Sequence, residues 1–133
     1  MRIQAAALLL VLVAATNQAY ANCGTTTARQ LATRDFDSLL KNFDASDSKT
    51  RRDLEDIIAS LGDLSEVAEA TQPRFKSHKR LSVNASTLSA AYTATVYRVN
   101  ATSSKMGAIQ VSVETKPNAL CSVLAVHLDI GAR

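Results

Sequence analysis

Ile109-Gln110-Val111-Ser112-Val113-Glu114 decides how this chain is read. Apolar and polar side chains alternate there without a break. Successive residues of a strand point to opposite faces, so the alternation describes a strand with one buried side and one wet side. The next segment repeats the pattern: Leu124, Val126, Leu128 and Ile130 alternate with Val123, Ala125, His127 and Asp129. Near Val123 to Val126 it is apolar on both sides, which places this last strand inside the sheet rather than at its edge. Upstream, Leu81, Val83 and Ala85, and then Leu88, Ala90, Tyr92, Ala94 and Val96, alternate in the same way. The joints at Thr102 to Gly107 and at Lys116-Pro117-Asn118 are rich in turn formers. About four strands follow, too close together for crossover helices, so the sheet is expected to be antiparallel.

Before residue 72 the period changes. Ala28, Ala32, Phe36, Leu39, Leu40 and Phe43 recur at helical spacing, with Thr25 to Thr27 available as a cap and Asp44 to Asp47 as a break. Leu54, Ile57, Ile58 and Leu61 stand at i, i+3, i+4 and i+7, with Asp47 or Ser48 as the N-cap and Gly62 as the C-terminal glycine. Asp63 and Glu66 have capping-box spacing, and Leu64 and Val67 offer an apolar side, so a short third helix is expected before Gln72-Pro73. The fold class is α+β, with N-terminal helices packed on a curved antiparallel sheet of about four strands.

Residues 1–21 read as a cleavable secretory signal peptide. Arg2 supplies the positive start, Ala5 to Ala15 the apolar run, and Ala19-Tyr20-Ala21 the small residues at −3 and −1. The run is shorter than the roughly 20 residues a membrane span needs. Tyr20 and Asn22 depart from the pattern that precedes a lipid-carrying cysteine, so cleavage after Ala21 and a secreted or periplasmic product are expected. Residues 22–133 then form a single domain, and its two cysteines, Cys23 and Cys121, are expected to be joined.

Loss of Arg2 leaves 14 basic and 12 acidic residues, no general attraction to nucleic acid or membranes. Their distribution is uneven: residues 22–71 hold 6 basic and 10 acidic side chains, residues 72–133 hold 8 and 2. Two readings follow: the halves pack together and partly neutralise one another, or a basic face meets an acidic partner, the first being preferred. Arg74, Lys76, His78, Lys79 and Arg80 are the densest basic stretch and the candidate binding patch. Phe75 is the lone aromatic beside it, which argues against base stacking and hence against nucleic acid.

The order of helices, the Leu61-Gly62 break and the strands that follow resemble small exported domains of the nuclear-transport-factor-like and cystatin-like superfamily, over about residues 27–130. The resemblance implies an α+β roll with a concave sheet. The cystatin-type inhibitor hairpin, Gln-x-Val-x-Gly, has its nearest counterpart in Gln110 to Glu114, with Ser112 and Glu114 where Val and Gly belong.

His127 and Asp129, two residues apart on one strand, share a face. With Tyr97 or Tyr92 from a neighbouring strand they make the alternative, catalytic site, a general acid/base group oriented by a carboxylate. The structural alternative is a half-exposed strand histidine beside a chance acid. Two histidines and two paired cysteines offer no metal spacing, 4 glycines build no phosphate loop, and no cofactor is expected. The sequons Asn84-Ala85-Ser86 and Asn100-Ala101-Thr102 are glycan acceptors if the chain is made in a eukaryotic secretory path. Thr93, Thr95, Tyr97 and Val99 are taken as an exposed face and a candidate homodimer surface. The expected function is binding of a protein or small ligand, without catalysis. The alternative is a small lyase, isomerase or hydrolase built on His127 and Asp129.

Overall fold

The computed structural model describes residues 23–71, 75–86, 93–117 and 121–131. The expected signal peptide and Arg74 lie outside them. Three helices come first, α1 (Cys23–Ala32), α2 (Phe36–Asn42) and α3 (Ser48–Leu61). Five strands follow, β1 (Leu64–Glu69), β2 (Ser77–Asn84), β3 (Thr95–Ser103), β4 (Gly107–Thr115) and β5 (Val123–Gly131). The strands form one antiparallel sheet in the order β1-β3-β4-β5-β2. The α+β class and the order of helices before sheet are as expected, and β5 is an interior strand.

The expected first helix is two helices. Arg34 has φ 56, its N–H donates to the Leu31 carbonyl, and the Asp35 N–H reaches back to the Gln30 carbonyl. This is a Schellman ending with arginine where glycine is usual. Asp35 then caps α2 by accepting from the Ser38 N–H. Thr25 to Thr27 lie inside α1 rather than capping it. The α3 boundaries match the sequence. Asp47 and Thr50 exchange capping-box hydrogen bonds, and the Gly62 N–H closes the helix on the Ile58 carbonyl at φ 70.

The expected third helix is wrong: residues 64–69 are β1. Ser65 pairs with Thr102 and Ala68 with Asn100, so Glu66 and Val67 together oppose Ala101. This β-bulge, with Glu66 at φ 56, brings Leu64 and Val67 to the same side although three residues separate them. The i, i+3 spacing that suggested a helix is the spacing of a bulged strand.

All helices lie on one face of the sheet. Val99, Val111, Leu128 and Val83 come from β3, β4, β5 and β2, and Val113, Val126 and Ile109 extend the layer. Each is at most 1 % exposed, against Leu31, Leu39, Leu54 and Leu61 from the helices, which are wholly buried. At about 1.5–3 kcal/mol per buried aliphatic side chain, this layer is the main source of stability. Gly24 lets α1 approach the sheet closely, for a Cβ there would stand 2.5 Å from that of Tyr97. The side of β3 that is buried is opposite to the one expected. Val96 is exposed, whereas Val99 is covered and Tyr97 is half-buried beneath α1. Pairing with Val113 and Val111 of β4 fixes this choice. Thr93 and Thr95 are exposed, but with Tyr97 and Val99 under the helix the four do not form one open surface.

The Cys23–Cys121 disulfide ties α1 to the residue two before β5, joining cysteines 98 positions apart in sequence with 5.5 Å between their Cα atoms. No helix among the described residues is long and apolar enough to cross a membrane.

Candidate functional site

The other face of the sheet is polar and open. Strand register sets its side chains in rows. Arg98, Ser112, His127 and Ser82 run across β3, β4, β5 and β2. The next row is Asn100, Gln110, Asp129 and Arg80, in the same strand order. Three polar members are buried at the centre: Gln110 at 6 %, Ser112 at 5 % and Asp129 at 5 % exposure. With Phe75, Lys76, Ser77, Arg80 and Arg98 they line a shallow pocket of about 690 Å³.

Asp129 is the anchor of this pocket. The Arg80 guanidinium donates to both its oxygens, at 2.8 and 2.9 Å, and the Ser77 hydroxyl donates to Oδ1 at 3.1 Å. These hydrogen bonds, Arg80 first, hold the Asp129 carboxyl below the usual carboxylate range despite its burial, and the carboxylate in turn raises Arg80. The edge position of β2 leaves Arg80 free to fold over its neighbour on β5.

His127 has different partners. Its Nδ1 lies 2.7 Å from the Ser82 hydroxyl and its Nε2 3.3 Å from a Glu114 oxygen. The expected pairing of His127 with Asp129 does not form, because Arg80 and Ser77 occupy the Asp129 carboxylate. Tyr97 does not reach His127 either, since it lies on the helix-covered face. Tyr92 lies outside the described residues. The arrangement actually present is Ser82, His127 and Glu114 on adjacent strands.

The basic stretch is dispersed by strand geometry. Lys76 and Arg80 reach the pocket, while His78 and Lys79 are exposed on the outer strand of the sheet. Charged residues on an edge strand also deter edge-to-edge pairing with other chains, which is a structural role for them. The two halves of the chain meet through few direct ion pairs. Among the described residues one ion pair joins them, Lys116 with Asp44. The others stay within a half, as in Arg34–Asp63, Arg51–Asp37 and Arg80–Asp129.

Sequence reasoning missed Arg98, Gln110 and Ser112 as pocket residues and Ser82 and Glu114 as partners of His127. The period-two alternation already placed Gln110, Ser112 and Glu114 on one face with His127 and Asp129. What it lacked was the strand order that sets β2 beside β5. Among the described residues no group of His, Cys, Asp and Glu is arranged to hold a metal ion. Comparison of the chain with protein-family models, with curated proteins and with solved structures found no match, so the reading of this face rests on its own geometry.

Proposed function

We propose that this chain is an exported, non-enzymatic binding protein, and that the open polar face of its sheet receives the ligand. The observation that carries this reading is the division of labour between the two faces. Among the described residues the centre of the helix-covered side is filled by packed apolar side chains. The other side holds a pocket of about 690 Å³ with polar residues at its floor. That volume falls within the roughly 300–1,000 Å³ of small-molecule sites, which favours a small ligand over a protein partner. Export by the residue 1–21 signal, with cleavage after Ala21, is part of the proposal. The disulfide supports it, because such bonds persist in oxidising compartments.

Native mass spectrometry of protein recovered from its own compartment tests the reading. A bound small molecule on a chain of residues 22–133 less two hydrogens is the expected result. A bare monomer that also converts a substrate in a reaction screen would overturn it. That second outcome has one observation in its favour, the contact of His127 with both Ser82 and Glu114, which provides a histidine base with a carboxylate to orient it. His127→Ala is the control: it abolishes turnover on the enzymatic reading and leaves ligand mass unchanged on the binding one.

A further inference from the structure

The pocket has a charge excess that its own partners do not satisfy. Lys76, Arg80 and Arg98 line it against one carboxylate, Asp129, and Arg80 is committed to that carboxylate. Among the described residues the Arg98 guanidinium has neither an ion-pair nor a hydrogen-bond partner. It sits directly across the β3–β4 pair from Ser112. The Ser112 hydroxyl likewise has no hydrogen-bond partner there, and it is accessible from the pocket that it lines. An accessible hydroxyl beside an unengaged guanidinium is free to donate to a ligand oxygen. Gln110 spends its amide N–H on Asn100 Oδ1, at 3.2 Å. Phe75 gives the pocket one apolar wall.

We infer that this pocket binds a small organic molecule through an oxyanion, a carboxylate or a phosphate group, with Arg98 as its fork and the Ser112 hydroxyl as its second donor. The inference rests on the binding reading above and names its ligand class. A guanidinium on a rigid strand suits either group, since it offers two parallel N–H donors. Asp129 does not repel the anion, because Arg80 and Ser77 already neutralise and cover it. Its role is to position: it keeps Arg80 folded across the end of the pocket.

The test is an NMR titration of the ¹⁵N-labelled, disulfide-closed chain at constant ionic strength, with inorganic phosphate in one arm and succinate in the other. Saturable shifts centred on the Arg98 Nε–H and the amides of Gln110 to Ser112 are expected, and the tighter arm identifies the group. Arg98→Gln weakens binding about ten- to a hundred-fold, as expected for loss of a charge-assisted contact, and Ser112→Ala about two- to ten-fold. Arg98 is exposed, so its removal leaves the fold intact. Arg52→Gln, on the exposed side of α3, leaves binding unchanged. Shifts spread over exposed lysines, or equal affinity in Arg98→Gln, would overturn the inference. If neither anion binds but native mass spectrometry finds a neutral molecule on the chain, the oxyanion assignment fails and the binding reading stands. If both come back empty, both fail.

Discussion

Replacing Cys23 and Cys121 together by serine should lower the melting temperature by about 15–20 °C. The bond closes a loop across 98 residues of sequence. In the chain-entropy treatment a loop near 100 residues is worth about 4.7 kcal/mol, a large part of the 5–15 kcal/mol that holds a domain folded. Two local terms modify the figure. Cys23 is 5 % exposed within the core, so a serine hydroxyl there adds about 1 kcal/mol of destabilisation. Cys121 sits at φ 42, a left-handed conformation that costs an L-residue about 1–2 kcal/mol and can relax once the bond is gone. The terms nearly cancel, leaving about 4 kcal/mol. For a domain of about 110 residues the unfolding entropy converts each kcal/mol into about 4 °C. Differential scanning calorimetry of the oxidised chain, the reduced chain and the double variant measures the shift. Urea titration supplies the second readout, because an unfolded chain without the cross-link exposes more surface and must show a larger m-value. A fall below about 5 °C would refute the reasoning. So would a full fall with an unchanged m-value, since the loss would then lie in native packing.

The Arg80–Asp129 pair should respond asymmetrically. Its carboxylate is 8 % exposed and its guanidinium 55 %, so Arg80→Met strands a buried charge and costs about 2–4 kcal/mol. Asp129→Asn leaves the guanidinium in water and costs about 1 kcal/mol, and equal losses in urea midpoint would contradict the burial argument. The Asp129 carboxyl is held below its unfolded value near 3.8, so its contribution is complete above that value and lost as pH falls through the lower folded one. Urea midpoints should therefore be flat from about pH 7 to 5 and drop below about 4, and the drop should shrink in Asp129→Asn. Gly62→Ala should cost about 1–3 kcal/mol, read as a lower melting temperature. At φ 70 and ψ −141 an L-residue is strained, and a Cβ there would meet the Ser104 hydroxyl that receives the Asp63 N–H.

What the sequence disclosed was whatever local periodicity and caps encode. Asp47, Thr50 and Gly62 bound α3 because capping chemistry is short-range, and the alternation in β4 and β5 is regular enough to give both faces. Two elements were concealed by exceptions to the local rules. The end of α1 is hidden because Arg34, not glycine, takes the left-handed position, held there by backbone bonds and by its ion pair with Asp63. β1 is hidden because its bulge converts a two-residue period into a three-residue one. The pocket was concealed for a different reason. Arg98, Ser112 and Arg80 belong to β3, β4 and β2, and nothing local to any of them states that β2 pairs with β5 rather than with β3. The same gap misdirected the catalytic reading: i, i+2 spacing put His127 beside Asp129, but the neighbouring strands decided which partner each one took.

The polar face is not simply the side of the sheet that water covers. A solvated face needs exposed polar residues, and it has them in Ser82, Arg80 and Arg98. It has no need of polar side chains that are themselves almost wholly buried. Gln110, Ser112 and Asp129 occupy central positions on two interior strands, where valine or isoleucine would pack without any partner to find. Asp129 is reconciled to its burial by Arg80 and Ser77, and Gln110 in part by Asn100. The Ser112 hydroxyl is accessible from the pocket, and the cation facing it across the strand pair is unengaged among the described residues. Side by side in one pocket, these two donors are what a site for an external anion requires.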